Sequence, residues 1–248
     1  MKDFYLGLKF MFSYFTILPV RFHAEDDLSK PSILAAMLFW LPLGGLVLGS
    51  MSLVIFSLLS SLEWLAAVVA AVLYMMLYGF LHTEAIMDVA DALYAKHSGK
   101  DAYEVIKEPT VGAMGVLWAG SMLMLKVSGI VYLLLHEKYA LFLSILIVSR
   151  LGLLLLFFTQ TFRSTFITKM QQGFSRAYFI SALILFTIIG VSLISWHFLV
   201  LLFIGFFCSY ILGKSLKNNL GFINGDVLGT TLESTEIVLF IWGASLWL

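Results

Sequence analysis

Residues 140–159 read ALFLSILIVSRLGLLLLFFT, an apolar run with one charge, Arg150. Twenty residues at about 1.5 Å each make a helix about 30 Å long, which matches the hydrocarbon core of a bilayer. Comparable runs recur along the chain, which is 61% hydrophobic and 12% charged, with a mean hydropathy of +0.99. A soluble domain is about 45–50% apolar and about 25% charged, so no soluble fold of 248 residues could hide this much apolar surface. The expected fold class is therefore all-α, a polytopic transmembrane bundle forming one integral membrane domain over 1–248. Net charge is zero, so the chain has no basic footprint for nucleic acid. The single cysteine, Cys208, lies in an apolar run, which rules out an intrachain disulfide and a thiolate zinc cluster.

Cutting the apolar runs at charge clusters and turn signals predicts seven spans, over 33–59, 64–82, 113–135, 140–159, 178–196, 198–213 and 228–247. The sixth is short, tilted or partly re-entrant. An N-terminal stretch over 4–18 is interrupted by Lys9 and has no small-residue cleavage site, so it is expected to stay on the protein as an interfacial helix. The links at Glu137-Lys138 and around His197 are too short for anything but antiparallel hairpins. Lys2, Lys9, Arg21, Lys30, Lys96, Lys100, Lys107, Arg163, Lys169, Arg176, Lys214 and Lys217 fall on one side of the membrane, and Lys138 alone on the other. The positive-inside rule then places the N-terminus in the cytoplasm and the C-terminus outside.

Chemistry is expected where acids gather. In 81–93, LHTEAIMDVADAL, the residues Glu84, Asp88 and Asp91 are spaced i, i+4, i+7 and share one helix face. Such a stripe repels itself unless a cation intervenes, and a hard divalent ion such as Mg²⁺ takes carboxylate oxygens and bridges to substrate phosphates. A solvated acidic face is the equal alternative. In Asn224-Gly225-Asp226 a tight turn opens the last helix, where Asp226 suits the free N–H groups. Glu233 and Glu236 lie two to three turns deeper, and Lys126 and Arg150 sit at matching depth, each twelve residues from Lys138. They read either as intramembrane ion pairs, Arg150 with Glu236 among them, or as the lining of a cavity for an anionic substrate. Lys107 to Gly115 is a polar re-entry in which Gly112 and Gly115 could bring backbone N–H groups to a phosphate, or simply make the turn. His82, beside the acidic stripe, is a ligand, a base or a hydrogen-bonded interface residue.

Taken in order and spacing, five blocks resemble the cobalamin synthase family, the adenosylcobinamide-GDP ribazoletransferases, over nearly the whole chain. They are Phe15-Thr-Ile-Leu-Pro19, the 81–93 block, Lys107 to Gly115, Ser149-Arg150, and Asn224-Gly-Asp-Val-Leu-Gly-Thr230. The chain departs from the pattern with Glu84 for Asp, Ala85 and Ala92 for Gly, Ile17 and Thr110 for Arg, and Asn224 for Thr. Arg21, one turn from Ile17, is placed to substitute for the first missing arginine.

The resemblance implies a Mg²⁺-dependent enzyme of the bacterial cytoplasmic membrane with its active site on the cytoplasmic side. It would join adenosylcobinamide-GDP to α-ribazole or its 5′-phosphate and release GMP. Glu84, Asp88, Asp91 and Asp226 would hold the metal, and Asp226, Asp88, Asp91 and Arg150 would act in catalysis. Lys107, Gly112, Gly115, Arg21 and His82 would bind substrate. Other cobalamin-assembly enzymes and a second copy of the chain are the partner classes it suggests. Two rivals remain. A secondary transporter would carry internal repeats and broken helices, and a CDP-alcohol phosphotransferase would carry an Asp-Gly-x-x-Ala-Arg block, whereas here Asp91 is followed by Ala-Leu-Tyr-Ala-Lys.

Overall fold

Pro31 opens the longest helix at a position where its missing N–H costs no intrahelical bond. In the computed structural model, which describes residues 2–246, every regular element among the described residues is helical. In chain order the elements are α1 (Lys2–Phe15), α2 (Pro31–Leu58), α3 (Trp64–Leu77), α4 (Leu81–His97), α5 (Ala102–Val105), α6 (Ala113–Leu135), α7 (Tyr139–Thr159), α8 (Thr165–Gly173), α9 (Arg176–Ile194), α10 (His197–Leu220) and α11 (Gly225–Leu246).

Six of these, α2, α6, α7, α9, α10 and α11, are long and apolar enough to cross a membrane. The arrangement sorts them by burial. α2, α7 and α11 are mostly enclosed, whereas α6, α9 and α10 turn most of their surface outward, as helices facing lipid do. α7 is central, packing on α2, α9, α10 and α11. α1 lies against α2, with Phe4 wedged on Phe39 and Trp40 at ring separations of 5.0 and 4.9 Å.

The span expected over 64–82 does not form as one helix. α3 ends at Leu77, and α4 leaves it at an angle of 78°. Gly79 and Phe80 both adopt left-handed backbone, with φ of +64° and +54°, which stops the hydrogen-bonded ladder. The freed carbonyl of Leu77 accepts from the Ile17 N–H at 2.9 Å, so the chain leaving α1 docks on the break. α4 carries three carboxylates, Lys96 and His97, and packs on α6 and α11.

Several boundaries differ from expectation. The sixth span is not short or re-entrant: α10 continues past Lys214 and Lys217 to Leu220 and stops at Gly221, φ +92°. Cations in a last helical turn favour the C-terminal dipole rather than end the helix. The interfacial helix ends at Phe15 instead of 18, and residue 247 of the expected last span lies outside the described residues. α5 and α8 were not expected. Ser164 caps α8 by accepting from Ile167 N, and it places Ile167 and Met170 on the buried face. At the hairpin tips over 59–63, 136–138 and 195–197, Glu63, Glu137 and Ser195 adopt positive φ.

Candidate functional site

The site is built where α4 crosses the first turns of α11. Gly229 makes that crossing possible: a Cβ there would sit 2.9 Å from the Ala85 Cβ and 3.3 Å from His82 Nδ1. One position on, Thr230 Oγ1 donates to the Ala85 carbonyl at 2.9 Å and locks the register. Asn224 caps α11 by accepting from Val227 N at 3.1 Å, and its amide donates to Asp226 Oδ2 at 2.7 Å, which fixes that carboxylate.

Two stretches of chain about 140 residues apart thus bring four carboxylates to one rim. Asp88, half-buried, meets the charges of Asp226, Glu84 and Asp91; burial first, and then these three neighbours, push its carboxyl up to about 6. Asp226 also faces Glu84. Among the described residues none of the four pairs with a lysine or arginine. Hard oxygen donors crowded without a counter-charge are the donor set a divalent cation neutralises. No three Asp, Glu, His or Cys side chains converge on one point among the described residues. An ion held here would take one or two of these carboxylates and fill its other positions with water and substrate phosphate, as Mg²⁺ does.

Asp91 has a further task. It accepts from Gly112 N at 2.5 Å and Gly115 N at 2.7 Å, the free N–H groups at the start of α6. A Cβ on either glycine would overlap this carboxylate, at 2.7 and 2.5 Å. In this arrangement the Gly112 and Gly115 N–H groups, expected either to meet a phosphate or to make the turn, are taken by Asp91.

Among the described residues, Lys107 and Arg21 make no ion pair with the rim carboxylates. Lys107 pairs with Glu104 at 2.9 Å and lies over the Tyr103 ring, which Arg163 also covers. Arg21 is exposed in the segment after α1. His82 is buried between Phe15 and Tyr78, at ring separations of 6.1 and 5.6 Å.

Arg150 takes the ion-pair arrangement that was one of its two expected readings. It is buried in a charge-balanced network with Lys126, Glu233 and Glu236. Its guanidinium pairs with Glu236 and donates to Tyr74 Oη at 3.0 Å. Lys126 reaches Glu233 at 2.6 Å and Glu236 at 2.7 Å. Ser149 donates to Glu236 at 3.0 Å. Glu236 lies ten residues beyond Asp226, or about 15 Å along α11, so the guanidinium of Arg150 is engaged deeper along that helix than Asp226.

Sequence reasoning missed the cavity that opens beside Asp226. It has a volume of about 110 Å³, lies beneath α1 and α8, and is walled by Tyr14, Phe15, Leu41, Leu153, Ile167 and Met170, with His82, Gly225 and Asp226 completing it. Burial and the Asp226 carboxylate push the Tyr14 phenol upward, which ties α1 to the same rim. The spacing of Phe166, Ile167 and Met170 behind Ser164 was the signal that could have revealed the roof.

Comparison with known proteins gives a consistent outcome. The family model described as cobalamin-5-phosphate synthase matches residues 7–244. A Clostridium perfringens protein (strain SM101 / Type A) named adenosylcobinamide-GDP ribazoletransferase is 29% identical, over 96% of this chain and 98% of its own. Proteins of the same name from Brevibacillus brevis and Clostridioides difficile are 30% and 24% identical, over 95% and 98% of this chain and 97% and 96% of their own. No solved structure matches. With order, spacing and near-full coverage in agreement, the chain belongs to the cobalamin-5-phosphate synthase family.

Proposed function

We propose that this protein is an adenosylcobinamide-GDP ribazoletransferase of the bacterial cytoplasmic membrane, with its N-terminus and acidic rim in the cytoplasm. The observation that carries the site assignment is the crossing of α4 over the first turns of α11, Gly229 against Ala85 and Thr230 bonded to the Ala85 carbonyl, which brings Asp226 toward Glu84 and Asp88. The relatives' shared name supplies the substrates, and the sorting of lysine and arginine to one face supports the orientation.

The reaction is a displacement at phosphorus. The ribose 3′-hydroxyl of α-ribazole, or of its 5′-phosphate, forms a bond to the cobinamide-linked phosphorus. The bond from that phosphorus to the bridging oxygen breaks, and GMP leaves with the electron pair. The hydroxyl proton passes to a rim carboxylate. Asp226 borders the cavity and is held by Asn224, so it is the acceptor. Asp88 and Asp226, one carboxylate from each of the two crossing helices, would hold Mg²⁺, with Asp91 fixing the start of α6 beside them. When bound, the ion neutralises phosphoryl charge, which dominates catalysis of such transfers.

The test is direct. Detergent-purified protein is incubated with adenosylcobinamide-GDP, α-ribazole and Mg²⁺, with and without chelator, and GMP and cobamide are measured. Equal amounts of both products that vanish with chelator are expected; their absence in the complete mixture sinks the reading.

A further inference from the structure

The rim acids lie beside a cavity that the phosphoryl chemistry does not use. Its walls are aliphatic and aromatic, and no lysine or arginine lines it. A diphosphate placed there would meet Asp226 with no cation to offset the repulsion, and burying unpaired charge is heavily penalised. Guanine presents several donors and acceptors, for which these walls offer only His82, Tyr14 and Asp226. A corrin ring is far too large for about 110 Å³. One piece of the two substrates is left: the flat, uncharged, alkyl-substituted base of the acceptor nucleoside.

Size and access agree with that choice. An apolar cavity of about 150 Å³ takes benzene. A somewhat smaller one that is open on one side seats the leading edge of a benzimidazole's six-membered ring and leaves the rest, with its glycosyl edge, at the mouth. The mouth is marked by exposed Tyr14 and Gly225, next to Asp226. A Cβ added at Gly225 would meet nothing within 4 Å, so this glycine keeps open space at the entrance rather than serving helix packing.

We infer that the cavity beneath α1 and α8 binds the aromatic base of the acceptor nucleoside, with Ile167, Met170 and Gly225 setting which base is accepted. This rests on the transferase reading above. It places the ribose at the mouth, within reach of the carboxylate that takes its proton. The wall of Leu41, Leu153, Ile167 and Met170 offers no hydrogen bond to a ring nitrogen or exocyclic amine. A purine therefore enters with unpaired polar groups, which a hydrophobic site rejects.

The test uses the full chain in detergent micelles. Equilibrium dialysis with labelled α-ribazole alone measures binding, and steady-state kinetics give KM for each substrate. Wild type binds α-ribazole, and an α-linked adenine nucleoside competes at least about 10-fold more weakly. Met170→Trp and Gly225→Leu weaken α-ribazole binding and raise its KM by about 10-fold or more, while KM for adenosylcobinamide-GDP stays within about twofold. Met170→Gln narrows the preference against adenine. Unchanged α-ribazole binding in both filled variants, or a rise in KM for the corrinoid substrate instead, overturns the assignment. If Met170→Trp does not fold, Gly225→Ala carries the test with a smaller shift in the same direction. Wild type that binds α-ribazole yet releases no GMP would defeat the transferase reading and leave the cavity assignment standing. Normal turnover with unaltered KM for α-ribazole in both variants would defeat the cavity assignment alone.

Discussion

Gly115 donates its backbone N–H to Asp91 at 2.7 Å across 24 residues of sequence, and this bond ties the acidic helix to the first turn of a membrane span. Asp91 and Asp88 are three residues apart on one stripe, yet they do different work. Asp91→Asn removes the charge from two backbone donors and loosens the start of α6, so melting should occur at lower temperature, with stability down by about 1–3 kcal/mol. Asp88→Asn removes a repelled charge, so melting should hold or rise while turnover falls by about 10²–10³. Parallel thermal unfolding and GMP-release assays separate the two. Identical behaviour of the variants in both assays would show that the division of labour is wrong.

Acidity should appear in the response to metal. The Asp88 carboxyl is raised from the usual value near 3.8 to about 6, so its proton is held more tightly in the folded state. In metal-free protein this residue's contribution to stability is most favourable below about pH 3.8 and is lost as pH rises through about 6. A divalent cation offsets the repulsion only once the carboxylate is ionised. The gain in melting temperature on adding Mg²⁺ should therefore grow between about pH 5 and pH 7, and it should be much flatter in Asp88→Asn. A gain that does not vary with pH in wild type would count against Asp88 as a ligand.

What could be read from sequence divides along physical lines. The runs that became α6 and α7 were legible to within a residue, because twenty apolar residues bounded by a polar tip leave a chain in a bilayer little choice. The Glu84, Asp88, Asp91 stripe was legible too, since helix periodicity alone puts the three on one face. The break at Phe80 was not: a phenylalanine has no local preference for left-handed backbone, and the docking of Ile17 from the distant N-terminal segment accompanies it there. Gly112 and Gly115 advertised a close approach, but not by what. The approaching group proved to be Asp91, and a long-range partner of that kind is invisible to spacing. Arg150 showed as an intramembrane cation, and only the meeting of four helices revealed how completely it is neutralised.

That neutralisation makes a prediction of its own. Lys126, Arg150, Glu233 and Glu236 balance in charge away from water. Removing one member leaves an uncompensated buried charge, at about 3–5 kcal/mol. Glu236→Gln and Arg150→Met should each reduce the yield of folded protein and lower its melting temperature. The double variant Arg150→Met with Glu236→Gln should lose less than the two singles together, because charge balance returns. Strictly additive losses in the cycle would mean that the pair is not energetically coupled. Once folded, the double variant should retain measurable turnover, since this network lies about 15 Å along α11 from Asp226.

The crossing itself can be pried apart. Gly229 sits where α11 touches α4, with the Ala85 Cβ only 2.9 Å from where a side chain would begin. Both neighbours are held, Ala85 by the Thr230 bond and His82 by packing between Phe15 and Tyr78, so neither can yield easily. Gly229→Leu should push α4 off α11 and separate Asp226 from Glu84 and Asp88 while both helices persist. Overpacking of this kind costs about 1–3 kcal/mol, which a bundle of this size can absorb. The expected signature is a folded, membrane-extracted protein with unchanged helical circular dichroism and turnover reduced by about 10² or more. Its melting temperature should no longer respond to Mg²⁺. Gly225→Leu, on the same helix but facing open space, should keep the Mg²⁺ response. If Gly229→Leu retained both turnover and the Mg²⁺ response, the carboxylates would not need the α4–α11 contact to act together.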